Sequence, residues 1–301
     1  MGRLSAIVLG AAAGGGFPQW NCRCAVCRLA WAGDPRVVPR TQASLAVSGG
    51  DEGWVLINAA PDLRAQIAAT AALQPRSEPR DSPIAAVMLT GAEVDQTAGL
   101  LCLRERQPFA LHATPETLQA VADNPMFGVL AHDVVTRRPV ARGESITLPG
   151  GLEAELFSVP GKVPLYLEGD SPELAAESGA NVGIELRANG ARLAYVPGAA
   201  AAPPELVERL ARADVILFDG TLYTDDEMIR TGTGTKTGRR MGHMPIAGEG
   251  GSLRAFAGLK ARRIYCHINN TNPILVAGSP ERDAVEAAGW EIAADGMEIV
   301  L

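Results

Sequence analysis

Three of the chain's five cysteines lie within six residues, and their spacing is the strongest chemical signal in the sequence. Cys22, Cys24 and Cys27 follow the pattern C-x-C-x-x-C. Three thiolates at this spacing can surround one soft or borderline metal ion, and tetrahedral Zn²⁺ is the ion that such a set favours. Cysteines this close pair poorly with one another, although a cluster of free or disulfide-bonded thiols is the alternative. No fourth ligand stands nearby, so a zinc site requires a partner from a distant part of the chain.

Acidic and imidazole side chains directly follow several predicted buried strands. Glu93 and Asp95 follow one apolar run, Asp219 follows a second, and His267 follows a third. In α/β folds, sites are built where strands reach their carboxyl ends. A single acid at such a place can instead be a helix cap, but three such loops in one chain favour one shared site.

His243 is a second imidazole in a defined backbone context. It stands in the segment M-G-H-M-P at residues 241–245, with Gly242 before it and Pro245 after it, which favours a fixed side chain. Glu93 and Asp95 are two residues apart, so in a tight turn their carboxylates can lie on the same side. Carboxylates with imidazole suit Fe²⁺, Mn²⁺, Mg²⁺ or Zn²⁺, so we expect a second metal site here.

The bulk composition is typical of a soluble globular protein. The chain has 301 residues, of which 47% are hydrophobic and 20% are charged, enough for one large domain or two ordinary ones. The net charge of -7, without a basic stripe, argues against a nucleic-acid partner. No apolar run reaches membrane-spanning length, and a signal peptide is a weak alternative. Reduced thiols at a metal site favour the cytoplasm.

Short apolar runs separated by Gly and Pro turns alternate with helical patterns along both halves of the chain. This alternation predicts an α/β fold, a four-layer αββα sandwich in which helices cover two sheets. The predicted strands lie at residues 5–9, 42–47, 53–58, 84–89, 145–148, 152–157, 182–187, 192–196, 215–218, 263–267, 290–293 and 298–301. The predicted helices lie at residues 61–72, 115–122, 204–211, 252–258 and 280–288.

Several motifs occur in one collinear order along essentially the whole chain. The longest is G-G-G-F-P-Q-W-N-C-x-C-x-x-C at residues 14–27. The others are R-T-Q at 40–42, N-A-x-P-D at 58–62, D-G-T at 219–221, M-G-H at 241–243, H-I-N-N-T-N-P-I-L at 267–275 and D-G-M-E at 295–298. Together they resemble the family of pyrroloquinoline quinone (PQQ) biosynthesis protein B.

The resemblance implies a fold and a zinc site. The family is similar to the metallo-β-lactamase superfamily, which implies one αββα domain over residues 1–301. Phosphodiesterases of that superfamily with the same cysteine motif carry a structural zinc beside a catalytic metal. In them, two histidines three residues apart serve the active site and the zinc. Those positions match His267 and Asn270 here, so the resemblance implies Asn270 as the fourth zinc ligand.

The active-site motif of the superfamily is altered in this chain. His-x-His-x-Asp-His corresponds to G-A-E-V-D-Q at residues 91–96, and Gln96 replaces the histidine that the family usually keeps after its aspartate. The middle histidine of the superfamily would fall near residues 161–162, where none stands. These departures count against a two-zinc hydrolase. Asp219 matches the bridging aspartate and His267 the last histidine. The remaining candidate ligands are Glu93, Asp95, Asp219, His243 and His267.

The resemblance implies a role in making PQQ from the glutamate and tyrosine of a peptide precursor. Two imidazoles with carboxylates are similar to the facial ligation of non-haem Fe²⁺ oxygenases. The resemblance therefore implies an iron- and O₂-dependent hydroxylation of the tyrosine ring, with Asp219, His243 and His267 as catalytic residues. One alternative is a carrier that binds or transports PQQ or a precursor without turnover. A metal-dependent hydrolase is the third alternative.

The implied substrate is a small PQQ precursor with carboxylates and an amine. Arg40, Lys236 and Arg239 are the predicted anchors for such groups, with solvated loop charges as the alternative. Other proteins of the PQQ pathway are the partners that the resemblance suggests.

Overall fold

The computed structural model describes residues 3–50, 53–77, 79–168 and 178–301. Within these ranges, fourteen strands follow one another along the chain. They are β1 (Ser5–Gly10), β2 (Ser44–Ser48), β3 (Trp54–Ile57), β4 (Ile84–Met88), β5 (Phe109–Ala113), β6 (Val135–Pro139), β7 (Ser145–Leu148), β8 (Leu152–Ser158), β9 (Val182–Ala188), β10 (Ala191–Val196), β11 (Val215–Asp219), β12 (Arg262–Cys266), β13 (Trp290–Ile292) and β14 (Glu298–Val300).

The strands form two mixed sheets that pack face to face. The spatial order is β14-β1-β2-β3-β4-β5-β6 in the first sheet and β13-β12-β11-β10-β9-β8-β7 in the second. Apolar side chains from both sheets, such as Met88 on β4 and Leu217 on β11, share one buried central core. Burial of this apolar surface between the sheets is the main force that holds them together.

Helices cover the outer faces of both sheets. Leu63 and Val121 pack on the first sheet, and Leu206 and Val285 pack on the second, which confirms the predicted αββα sandwich. None of the helices in the described ranges is long and apolar enough to cross a membrane. The helices are α1 (Ala25–Trp31), α2 (Leu63–Ala69), α3 (Val94–Thr97), α4 (Pro115–Ala122), α5 (Pro204–Leu210), α6 (Glu227–Arg230), α7 (Ser252–Ala255) and α8 (Pro280–Ala287).

The element boundaries follow local chemistry where the sequence carries clear signals. α4 has the predicted bounds because the Thr114 side chain accepts a hydrogen bond from the Thr117 N–H and Pro115 occupies the first turn. α2 is shorter than predicted, since Thr70 adopts an extended conformation after Ala69. The sequence pattern missed the helices α1, α3 and α6 and the strands β5 and β6. Polar side chains interrupt the apolar run within β5 and β6, which weakens the strand signal.

The topology brings the candidate site to one edge of the sandwich. β11 and β12 are parallel neighbours, with Asp219 opposite Cys266, so Asp219 and His267 leave the sheet side by side. The N-terminal loop reaches the same edge because Ala12 forms a bridge with Ile268. The cysteine segment therefore lies next to the end of β12.

Candidate functional site

His267 follows β12 in an uncommon backbone conformation. Its φ is +53°, in the left-handed region that non-glycine residues rarely adopt. Nδ1 lies 2.9 Å from Thr221 Oγ1, and Nε2 lies 3.0 Å from Asp95 Oδ2. Both ring nitrogens of this buried side chain therefore have partners. A strained backbone that its surroundings hold in place is typical of a functional position.

Asp219 ends β11 with its carboxylate fully buried. The main-chain N–H of Thr221 donates to Oδ1 over 3.0 Å, and that of Ala199 donates to Oδ2 over 3.0 Å. His243 Nδ1 lies 2.8 Å from Oδ2. Gly198 makes room for this imidazole, because a Cβ atom there would stand 3.2 Å from His243 Cε1. The carboxylate is thus fixed in orientation before any ligand binds.

The two imidazoles stack beside this carboxylate. Their ring centroids are 5.2 Å apart, with 18° between the ring planes. Asp219, His243 and His267 each place one possible ligand atom within 4.8 Å of the others. Two imidazoles and a carboxylate form a donor set that Fe²⁺ and other divalent transition metals use. The structure brings these three residues together, and their role as metal ligands stays a prediction.

Thr221 is a central residue of this cluster that the sequence analysis did not single out. Its hydroxyl oxygen lies 2.6 Å from Asp219 Oδ1, 3.1 Å from His243 Nδ1 and 2.9 Å from His267 Nδ1. One buried hydroxyl therefore contacts all three members of the cluster. The D-G-T motif that contains it was the available signal, but the aspartate alone drew attention because threonine is a poor metal ligand.

Charge pairing controls the ionisation of the buried groups. Burial alone would raise the pKa of Asp219 and of Asp95, but His243 and His267 respectively outweigh it and lower both values. Burial also tends to lower the pKa of His267, yet the hydrogen bond with Asp95 raises it overall. The carboxylates therefore stay ionised in the interior, where a bound cation would be screened little by solvent.

The carboxylate of Glu93 contacts partners outside the cluster of Asp219, His243 and His267. Glu93 is the N-cap of α3, and its main-chain N–H donates to Gln96 Oε1 over 3.1 Å. Its Oε1 accepts from Lys162 Nζ over 3.2 Å and from the Leu165 N–H over 3.0 Å. Gln96 Nε2 donates to Thr90 Oγ1. Gln96 thus contributes to the cap of α3, and a ligand role for Glu93 stays a prediction.

A pocket of about 220 Å³ opens over the cluster. Asp95, His243 and His267 form part of its wall. This size suits a small molecule or part of one. The apolar part of the wall comprises Ala13, Pro164, Ala180, Pro197, Met228 and Met241.

The three predicted substrate anchors lie elsewhere among the described residues. Arg40 is buried, and it donates from Nε to the Ala293 carbonyl and from Nη1 to the Val38 carbonyl, over 2.9 Å each. Lys236 Nζ lies 3.8 Å from a Glu168 carboxylate oxygen. Arg239 donates to the Gly250 carbonyl over 3.2 Å. None of the three side chains lines the pocket, so these contacts give the anchoring prediction no support.

The cysteines form a second, separate cluster. The sulfur atoms of Cys22, Cys24 and Cys27 all lie within 4.8 Å of one another. Cys24 is the N-cap of α1, and its sulfur accepts from the Cys27 N–H over 3.4 Å. Burial raises the pKa of Cys27 to about 12, so this thiol stays protonated until a metal displaces the proton.

The Asn270 amide faces the three sulfur atoms. Its Nδ2 lies 3.1 Å from Cys22 Sγ, 3.2 Å from Cys27 Sγ and 3.9 Å from Cys24 Sγ. A half-turn of the amide would present Oδ1 at the same place, and that oxygen could complete a tetrahedral zinc site. The structure brings the predicted partner from the distant end of the chain to the cysteines, and its coordination of zinc stays a prediction.

Comparison with known proteins identifies similar chains. A family model for the β-lactamase superfamily domain matches residues 53–268. A coenzyme PQQ synthesis protein B from Methylobacterium nodulans is 57% identical over 299 residues, which cover 99% of this chain and 100% of the relative. Another from Rhizobium meliloti is 54% identical over 299 residues, with 99% and 98% covered.

Solved structures give the same picture of the fold. The Zn²⁺-bound PqqB from Methylobacterium extorquens matches with a TM-score of 0.97 and 54% identity, covering 99% of this chain and 100% of that one. A diphosphatase of the PhnP family matches with a TM-score of 0.68 and 21% identity, covering 99% and 97%. The second likeness concerns the fold alone.

Proposed function

The chain belongs to the coenzyme PQQ synthesis protein B family within the β-lactamase superfamily, and from this premise we propose that it catalyses an oxidation in PQQ biosynthesis. The reaction is an iron- and O₂-dependent hydroxylation of the tyrosine ring in a precursor derived from glutamate and tyrosine. One oxygen atom of O₂ enters the ring and the other leaves as water, with two electrons from an external reductant. The names of the relatives support the pathway, and the chemistry of the site supports the reaction.

The convergence of Asp219, His243 and His267 is the observation that carries this proposal. Their possible ligand atoms lie within 4.8 Å of one another, and His243 and His267 line a small-molecule pocket. Two neutral imidazoles and one carboxylate leave coordination positions open on a divalent ion, which oxygen chemistry requires. Asp95 stands next to this set and can add a further oxygen donor.

The donor atoms suit a divalent ion such as Fe²⁺. His243 Nδ1 lies 2.8 Å from Asp219 Oδ2, and His267 Nε2 lies 3.0 Å from Asp95 Oδ2. These distances correspond to hydrogen bonds between each imidazole and its carboxylate. A metal ion can take the same lone pairs in place of the protons of these hydrogen bonds. The ionised, buried carboxylates favour that exchange, since a divalent ion balances their charge.

In this proposal, the residues of the chain orient the metal ligands and form the pocket around the substrate ring. Iron bound by this set would supply the activation of O₂ beside the ring. Thr221 and the Ala199 N–H hold the Asp219 carboxylate in one orientation. Met228 and Met241 form an apolar part of the pocket wall against which the ring could pack. Catalysis in this account depends on the orientation of the ring and of the metal ligands.

An anaerobic loading experiment tests the proposal. Protein loaded with Fe²⁺ is mixed with a glutamate–tyrosine cross-linked diamino acid and ascorbate, and then exposed to O₂. Consumption of O₂ with a ring-hydroxylated product supports the hydroxylase. Tight binding of the diamino acid without O₂ consumption rejects it.

A carrier protein is the second candidate function. Gln96 favours it, because this side chain caps α3 through Glu93 where relatives usually have an imidazole. A site with fewer imidazole ligands holds metal more weakly, and the pocket would then bind or help transport PQQ or a precursor. A metal-dependent hydrolase is the least supported candidate, since residues 91–96 contain no histidine.

For the cysteine cluster we propose a structural zinc ion held by Cys22, Cys24, Cys27 and Asn270. This site would join the N-terminal loop to the segment after β12 and so support His267. The free cysteines of the structure fit a reducing compartment, and we propose the cytoplasm, with other proteins of the PQQ pathway as partners.

A further inference from the structure

One lysine side chain lines the pocket. Of the described residues around it, Lys162 is the only lysine or arginine. Its side chain is 11% exposed, and its Nζ lies 3.2 Å from Glu93 Oε1 and 2.7 Å from Glu168 Oε1. An ammonium group this well buried in a pocket wall is costly unless charged partners stabilise it.

The backbone beside His243 fixes the stem of Lys162. Gly242, with φ of +88°, lies so close that a Cβ atom on it would stand 3.1 Å from Lys162 Cγ. The lysine stem therefore packs on the same turn that presents His243 to the pocket. This packing places Lys162 in the wall of the same pocket that His243 lines.

The ion pairs around Lys162 join three basic side chains to two carboxylates. Glu168 is approached by Lys162, by Lys236 at 3.8 Å and by Arg240 at 3.3 Å. Glu93 is the second carboxylate in contact with Lys162. Lys236 and Arg240 can therefore stay paired with Glu168 if Lys162 contacts another anion.

Both carboxylate partners of Lys162 have other partners. Glu93 Oε1 also accepts from the Leu165 N–H over 3.0 Å, and Glu168 Oε2 also accepts from Arg240. If Lys162 turned to a new anion, neither carboxylate would be left without a donor. A flexible lysine stem allows such a turn.

We propose that Lys162 binds a carboxylate of the small molecule that occupies this pocket and thereby selects ligands that carry one. The inference rests on the proposed function, which supplies a substrate with carboxylates. It gives Lys162 the anchoring role that the sequence suggested for Arg40, Lys236 and Arg239. Lys162 is a specificity residue in this account, and it takes no part in the oxidation itself.

Ligand binding by calorimetry tests the proposal on the full-length, metal-loaded protein without O₂. The probes are the glutamate–tyrosine cross-linked diamino acid and its methyl esters. We expect Lys162→Gln to weaken binding of the acid by at least about ten-fold and to leave binding of the esters within about two-fold, since a hydrogen bond to a charged group is lost only for the acid. Lys162→Arg should keep most of the affinity.

Lys236→Gln is the matched control, because it removes one charge from the same cluster without changing the pocket wall. We expect it to weaken acid binding by less than about three-fold, as its charge is partly exposed and screened. The inference would be overturned if the two Gln variants weakened acid binding equally. It would also be overturned if Lys162→Gln bound the acid as tightly as the wild-type protein. Equal affinity of the wild-type protein for acid and esters, a comparison that needs no variant, would overturn it as well. Failure of the wild-type protein to bind the acid would instead overturn the proposed function, and the inference with it.

Discussion

His267 and Asn270 stand three residues apart on one loop, and each contacts a different cluster. His267 Nε2 lies 3.0 Å from Asp95 Oδ2 in the pocket, whereas Asn270 Nδ2 lies 3.1 Å from Cys22 Sγ. The short segment after β12 therefore connects the candidate active site to the candidate zinc site. Zinc at the cysteines would restrain the loop that carries one active-site ligand.

The first prediction separates the two sites. His267→Ala should remove metal from the pocket and leave zinc at the cysteines, because the imidazole contacts Asp95 and Thr221 whereas the Asn270 amide faces the sulfur atoms. Elemental analysis of the purified variant checks this. Loss of zinc together with the pocket metal would show that His267, and not Asn270, serves the cysteine cluster.

The second prediction concerns the cysteine cluster. Cys24→Ser should release the zinc and lower the melting temperature by at least about 5 °C, since a structural zinc ion contributes folding free energy. Calorimetry with metal analysis measures both effects. Cys102→Ser is the matched control, because Cys102 lies outside the cluster and should keep the zinc. Equal melting temperatures of zinc-free and zinc-bound protein would contradict a structural role.

Thr221 provides the third prediction. Thr221→Val keeps the shape of the side chain but removes the hydroxyl that contacts Asp219, His243 and His267. We expect a loss of about 10- to 100-fold in affinity for the pocket metal, the usual effect of removing a residue that orients ligands. Metal titration measures the change. Thr221→Ser keeps the hydroxyl and should bind metal like the wild type, and similar loss in both variants would refute this role.

Glu227 gives the fourth prediction, a pH dependence of stability. Burial raises its pKa from 4.5 to about 7, despite hydrogen bonds from Thr271 and Tyr223. The folded state therefore binds this proton more tightly than the unfolded state. The stabilisation of the folded state by this protonation is fully present below about pH 4.5, and it is lost as the pH rises through about 7.

Glu227→Gln tests this effect. Relative to the wild type, the variant should gain stability on the order of 3 kcal/mol between pH 5 and pH 8, because it has no charge to bury. Denaturant unfolding at both pH values measures the difference. Glu281→Gln, an acid in the first turn of α8, is the control and should show no such gain. Parallel stability curves for wild type and Glu227→Gln would mean that Glu227 titrates normally.

The fold could be predicted well from the sequence, because strands and helices are signalled by residues that are neighbours in the chain. The apolar run at residues 84–89 and the Thr114–Pro115 start of α4 each depend on neighbouring residues. β5 was missed, since His112 interrupts its apolar run. The αββα arrangement followed from the alternation of such elements and from the family resemblance.

The site was only partly predictable, because its contacts join distant residues. Asp219, His243 and His267 were identified by their positions after strands and turns. Lys162 was overlooked as an anchor, since its neighbour Glu93 lies 69 residues away in the chain. The charge of Arg40 suggested substrate binding, and the structure buries this side chain against main-chain carbonyls, so its anchoring role stays a prediction without structural support. Sequence alone does not reveal which charges the fold buries.

Isotope labelling tests the central claim most directly. Protein loaded with Fe²⁺ is supplied with the glutamate–tyrosine cross-linked diamino acid, ascorbate and ¹⁸O₂, and the product is analysed by mass spectrometry. The account predicts one ¹⁸O atom in the tyrosine-derived ring, and none with His267→Ala. Oxygen derived from water, or an unchanged ligand that remains bound under ¹⁸O₂, would contradict it.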